Sequence, residues 1–67
     1  MRYSYRVFQM LTSNGLVWVA SSDGLAHCIG QGETKKKAIQ SLEENEKVWI
    51  ETALELGFEL PTKGLLH

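Results

Sequence analysis

The fold of this chain is decided by residues 34–61, TKKKAIQSLEENEKVWIETALELGFELP, which predict one long helix. Thr34 is suited to cap its start, no Gly or Pro interrupts it as far as Leu56, and Gly57 is the usual type of helix-ending residue. At about 100° per residue, the helix has one apolar stripe and an opposite polar face. The stripe contains Ala38, Leu42, Trp49, Ala53 and Leu56, with Ile39 and Ile50 along its edge. It needs a partner surface, which the preceding residues must supply.

Those preceding residues predict three strands separated by turns. Residues 2–11 and 16–21 are rich in aromatic and β-branched side chains, and 12–15, TSNG, form a hairpin turn in which Asn14 and Gly15 tolerate positive φ. A second turn over 22–24 leads to a short third strand over 27–31. The order β-β-β-α predicts an α+β fold in which one helix packs on an antiparallel sheet.

The first two strands are apolar on both faces. We expect the helix to cover the face that carries Val17 and Val19. The predicted core is therefore Val17, Val19, Ile29, Leu42, Trp49 and Ala53. The other face would carry Phe8, Met10, Leu16 and Trp18, and an exposed apolar patch of this kind usually marks an interaction site.

The length of 67 residues predicts a single domain, residues 1–67, that associates with itself. A chain this short buries only about 60% of its unfolded surface, so a homodimer or higher homo-oligomer would add stability. Phe8, Met10 and Trp18 are the predicted contact residues. Either these sheet faces stack or edge strands pair across a two-fold axis.

Composition also sets the expected compartment. The net charge of −1 argues against a broad nucleic-acid surface. No apolar run approaches the roughly 20 residues of a membrane span, and the first residues, MRYSYRVF, lack the apolar stretch of a signal peptide. We expect a cytoplasmic protein that does not enter a membrane.

The residue types predict neither an enzyme nor a bound metal or cofactor. Cys28 in a strand is more often a buried apolar residue than a reactive thiol, and His27 would lie on the opposite face. Zinc needs three or four converging ligands, whereas the chain has one cysteine and two histidines. We find no nucleophile paired with a base and no glycine-rich phosphate loop.

Two charged groups remain. Lys35, Lys36 and Lys37 lie in the first helical turn, where the helix dipole disfavours cations. They are either a solvated cluster or a contact for an anionic partner such as a phosphate backbone. Glu46 lies near the edge of the apolar stripe, so it is either satisfied by the sheet residues Tyr3, Tyr5 or Arg6 or placed at an oligomer contact.

The chain resembles the HicB family of bacterial antitoxins, and most closely its short members. The resemblance is carried by GLVWV at 15–19, LAHCIGQGET at 25–34, and the helix that ends in ETALELGFELP at 51–61. It implies a partial ribonuclease-H-like fold without catalytic carboxylates, and a protein that binds and inhibits HicA toxins, small ribonucleases that cleave messenger RNA. The DNA-binding domain of longer members is not in this sequence, so operator binding by this chain alone is not expected.

If the partner is a HicA-like toxin, the acidic face of the helix is the predicted contact. HicA-like toxins are basic because they engage RNA, and Glu43, Glu44, Glu51 and Glu55 would complement that charge. Apolar residues left over from the core would anchor the contact. The predicted partner-binding residues are Leu25, Glu44, Val48, Glu51 and Leu54. The alternative function is a small nucleic-acid-binding module that uses the three lysines.

Overall fold

The computed structural model describes residues 1–66 and shows three strands followed by one helix. Strand β1 is Tyr5–Thr12, β2 is Gly15–Ser22, β3 is Ile29–Gly32, and the helix α1 is Lys35–Glu55. The strands form one antiparallel sheet in the order β1-β2-β3. The predicted α+β class and the β-β-β-α order are confirmed. No helix in residues 1–66 is both long and apolar enough to cross a membrane.

Both ends of α1 are fixed by local hydrogen bonds. At the start, Thr34 has an extended backbone and its Oγ1 accepts from the Lys37 N–H at 3.1 Å. At the end, Gly57 has φ 77°, the Phe58 N–H donates to the Ala53 carbonyl, and the Gly57 N–H donates to the Leu54 carbonyl. This pair of bonds is a Schellman motif, which ends the helix where the sequence predicts.

The loops between strands differ in detail from the prediction. In the β1–β2 hairpin, Gly15 takes a positive φ of 109°, but Asn14 does not. Thr12 closes the turn through its side chain, whose hydroxyl donates to the Gly15 carbonyl and accepts from the Asn14 N–H. Before β3, His27 has φ 60°. Because this left-handed conformation interrupts an extended chain, the third strand starts at Ile29 and not at residue 27.

The helix packs on the sheet face that carries two glycines. Val7, Ala20 and Gly30 are cross-strand neighbours and therefore share one face. A Cβ added to Gly30 would lie 2.1 Å from the backbone nitrogen of Leu42, so the helix backbone nearly touches β3 there. The next row contains Trp18 and Gly32, which also face the helix.

The predicted assignment of sheet faces is wrong. Phe8 pairs with Val19 and Met10 pairs with Val17, so these four residues share the face away from the helix, which we call the open face. Ile29 lies on it too and is 49% exposed. Trp18 lies beneath the helix and cannot serve the open face. The cause is that both faces are apolar, so alternation alone does not indicate which one meets the helix.

The core lies between the helix and the glycine-bearing face. Its buried members are Tyr3, Ala20, Leu25, Cys28, Ala38, Leu42 and Ile50. Leu42 and Ala53 are buried as predicted, and so is Val19, although it lies on the open face. Trp49 is only half-buried, whereas Ile50, predicted at the edge of the stripe, is buried. The buried stripe is therefore rotated toward Ile50.

The segment after the helix covers Tyr3 and adds to the sheet. Leu65 forms an isolated antiparallel bridge with Tyr3, and the Ser4 N–H donates to the Gly64 carbonyl at 2.7 Å. The Tyr3 hydroxyl donates to the Pro61 carbonyl at 2.6 Å. Tyr3 is fully buried as a result. The segment thus pairs with residues 3–4, just before β1, and covers them. The sequence did not predict this role.

Candidate functional site

The second half of α1 presents an exposed acidic stripe. Glu44, Val48, Glu51 and Glu55 follow the spacing i, i+4, i+7, i+11, which places them on one side of a helix, and all four are exposed. Val48 is 61% exposed and lies among the three carboxylates. Three predicted partner-binding residues, Glu44, Val48 and Glu51, therefore share one accessible surface, which we call the acidic stripe.

A groove runs beside the acidic stripe. It lies between the first two residues of the chain and the helix, and it encloses about 500 Å³. Its lining residues are Met1, Arg2, Glu43, Glu46, Lys47, Ile50, Glu51 and Leu54. Leu54, a predicted partner anchor, is 58% exposed at this groove. The groove depends on contact between the first two residues and helix residues 43–54, so local pattern analysis missed the contributions of Met1, Arg2 and Ile50.

Glu46 forms part of the groove wall and is only 5% exposed. Its Oε1 accepts a hydrogen bond from the backbone N–H of Arg2 at 2.8 Å. Its Oε2 is buried and has no hydrogen-bond partner among residues 1–66. The predicted sheet partners do not satisfy it: the Tyr3 hydroxyl donates to the Pro61 carbonyl and Arg6 pairs with Asp23, and no bond from Tyr5 to Glu46 is seen within residues 1–66.

Cys28 lies inside the core near this carboxylate. Burial, and to a smaller extent the negative charge of Glu46, raise the pKa of its thiol above the ordinary value. A buried thiol that resists ionisation is a poor nucleophile. The structure thus places Cys28 as an apolar core residue, as predicted.

The three lysines do not form one equivalent cluster. The Lys35 ammonium lies 5.0 Å from the centroid of the Trp18 ring, a cation–π arrangement that holds it against the sheet. All three lysines are exposed. Lys35 differs from the other two only in this contact with the Trp18 ring.

Leu25 is not available as a surface anchor. It is 2% exposed and belongs to the core, although the sequence predicts it as an apolar partner contact. The hydroxyl of Ser22 accepts hydrogen bonds from the N–H groups of Gly24 and Leu25. This turn directs the loop back under the helix and buries the leucine.

The open face is the second exposed apolar surface. Phe8, Met10 and Ile29 are 41%, 49% and 49% exposed, and Val17 beside them is half-buried. Arg6 and Asp23 form an ion pair at 3.3 Å close to this surface. Two of the three residues predicted for self-association, Phe8 and Met10, thus lie on the open face, while Trp18 is partly buried on the opposite face.

Residues 1–66 contain no group of three or more His, Cys, Asp or Glu side chains that could hold a metal ion. The glutamates along α1 are spread over one helix and do not converge.

Comparison with known proteins finds no match for this chain. No protein-family model matches the chain. The comparisons with curated proteins and with solved structures give no match either. The resemblance to the HicB family, and the ribonuclease-H-like relationship that it implies, therefore stay predictions.

Proposed function

We propose that this chain is a non-catalytic, HicB-like antitoxin that binds and inhibits a small, basic, HicA-like toxin. The observation that carries the proposal is the acidic stripe, where Glu44, Glu51 and Glu55 surround an exposed Val48. Leu54, exposed in the groove beside the stripe, adds a second apolar side chain, and protein contacts commonly combine apolar anchors with surrounding charge. The stripe therefore has the composition of a binding site for a cationic partner.

The charge arrangement along α1 supports a role in binding over a role in helix stability. The first turn contains three lysines and no acidic residue, and the last turn contains no basic residue. Both features oppose the helix dipole, which favours anions at the start and cations at the end. Each unfavourable charge costs a few tenths of a kcal/mol at an exposed position. A cationic partner would account for the acidic residues near the end of α1, Glu51 and Glu55, which do not help the helix.

The inhibitory mechanism follows from the partner's chemistry. A ribonuclease that engages the RNA backbone needs a cationic surface, and the acidic stripe would occupy that surface in place of phosphate. Charge would accelerate encounter, while Val48 and Leu54 would supply the apolar contacts that slow dissociation. Inhibition by occlusion needs no catalytic group in the antitoxin.

Co-expression tests this proposal. We expect that a small basic protein encoded next to this chain arrests growth when expressed alone, and that co-expression relieves the arrest and gives a complex that co-purifies. A neighbour that is not toxic, or a pair that does not co-purify, would refute the antitoxin proposal.

The position of the contact is tested by charge reversal. Glu44→Lys with Glu51→Lys should slow association with the toxin roughly tenfold at low salt and flatten its salt dependence, because both residues lie on the acidic stripe. Lys36→Gln with Lys37→Gln is the matched control at the other end of the helix and should change the rate less than twofold. An unchanged association rate in the glutamate variant, together with loss of the complex in the lysine variant, would show that the toxin binds near the lysines and not at the acidic stripe.

The alternative proposal is a nucleic-acid-binding module, and the exposed side chains of Lys36 and Lys37 favour it. So few cations give weak binding that is highly sensitive to salt. In a gel-shift assay with single-stranded RNA, the double lysine variant should lose all binding. Micromolar RNA affinity that survives this substitution would contradict a role for the lysines.

A further inference from the structure

The groove beside α1 contains an unsatisfied buried acceptor. An ionised carboxylate can accept about four hydrogen bonds, yet Glu46 accepts one, from the Arg2 N–H. A buried acceptor without a donor is unfavourable by about 1–3 kcal/mol, and more when charged. Within residues 1–66 the structure gives Glu46 no ion pair, although Arg2 and Lys47 also line the groove. Within residues 1–66, Oε2 of Glu46 is thus left without a donor, and a ligand in the groove could supply one.

The shape and lining of the groove define the ligand. Met1, Ile50 and Leu54 provide apolar wall suited to an aliphatic stem, and Glu43 and Glu51 add negative charge. No three ligating side chains converge among residues 1–66, so a bare metal ion is not favoured. A cation on an aliphatic stem that donates hydrogen bonds fits both features.

We infer that this groove binds a basic side chain of a protein partner, with the guanidinium of an arginine or the ammonium of a lysine donating to Oε2 of Glu46. Oε2 is covered in the free chain, so binding requires the carboxylate to rotate about its soft terminal torsion, which also moves Oε1 relative to the Arg2 N–H. Arginine is the preferred occupant because its planar fork can donate to the carboxylate through two N–H groups. The identity of the partner as a toxin rests on the function proposed above.

The direct test uses small probes and no toxin. N-acetyl-arginine-N-methylamide is titrated into the full chain and followed by amide chemical shifts. Its citrulline analogue has the same shape without the charge and serves as the control probe. We expect shifts centred on Arg2, Glu46 and Ile50, and binding of the arginine probe at least fivefold tighter than that of the citrulline probe.

Two substitutions locate the binding to the carboxylate. Glu46→Gln keeps the acceptor for Arg2 and replaces Oε2 by a donor, so it should abolish the preference for arginine. Glu44→Gln removes one charge from the exposed surface of the same helix and should preserve it. Equal affinity of the two probes for the parent chain, or an arginine preference that survives Glu46→Gln, would overturn the inference.

A second variant keeps the test decisive if Glu46→Gln does not fold. Leu54 is exposed at the groove, so Leu54→Lys places a competing cation there without touching the core. It should weaken arginine binding several-fold, and unchanged binding would overturn the inference. Because no toxin is present, failure here leaves the co-expression result intact. Conversely, a bound arginine probe with no toxin complex would reject only the antitoxin function.

Discussion

Replacing Gly30 by alanine should push α1 away from the sheet. The added Cβ would lie 2.1 Å from the Leu42 nitrogen and 2.6 Å from the Ala38 carbonyl oxygen. Ordinary van der Waals contact begins at 3.4 Å, so the two backbones must separate by about 1.3 Å. Both opposing atoms belong to the helix backbone, and no rotamer change relieves the overlap.

The loss of unfolding free energy in Gly30→Ala can be estimated from the contact between α1 and the sheet, which must open. Inserting one methyl group into a packed core destabilises by about 1–3 kcal/mol. Here the separation also affects Ala38 and Leu42, which are both fully buried, and a gap of about 0.5–1 Å forfeits a quarter to a half of each dispersion contact. We therefore expect about 3 kcal/mol, a large share of the roughly 3–10 kcal/mol that a domain of this size has in total.

Urea unfolding followed by circular dichroism at 222 nm measures the loss. Gly15→Ala is the matched control, because Gly15 has φ 109° but nothing lies within 4 Å of an added Cβ. Backbone strain alone should cost about 1–2 kcal/mol there. A loss in Gly30→Ala no larger than that in Gly15→Ala would refute the close approach of helix and strand.

Three further outcomes are expected. Trp49→Ala should lower the free energy of unfolding, measured in urea, by about 2–3 kcal/mol. This is less than the loss expected for a fully buried tryptophan, because Trp49 is half-buried. A loss under about 1 kcal/mol would show that the ring does not contribute to packing. Because burial and then the charge of Glu46 raise the pKa of Cys28, the folded chain retains the thiol proton to higher pH than the unfolded chain does. The free energy of unfolding should therefore fall above about pH 9, less steeply in Cys28→Ala, and parallel pH profiles would contradict this. In analytical ultracentrifugation at micromolar concentration, the measured mass of the chain should exceed the monomer mass of 7.6 kDa. Met10→Glu on the open face should restore the monomer. A monomeric mass for the unsubstituted chain would contradict self-association.

The groove shows why a site can escape sequence analysis. Glu44, Val48 and Glu51 lie on one helix, so their spacing alone predicts a shared surface. Glu46, by contrast, finds its donor in Arg2, which is 44 positions away in the sequence. The burial of the carboxylate depends on how the chain before β1 crosses the helix, and no local pattern contains that information.

The sequence by itself determined the elements and their order. Thr34 and Gly57 bound the helix through hydrogen bonds made within a few residues, and Gly15 supplies the one positive φ that the hairpin requires. These features are local, so propensity, capping and turn chemistry suffice to predict them.

Only the tertiary structure decided which sheet face meets the helix. Both faces carry apolar residues, and burial of either would satisfy the hydrophobic pattern. The helix selects the face with Gly30 because the absence of a side chain lets two backbones come together, whereas Val19 on the open face would hold them apart. That choice packs Trp18, which is partly buried, against the core and leaves Phe8 and Ile29 exposed, and it depends on contacts between segments that are distant in the chain.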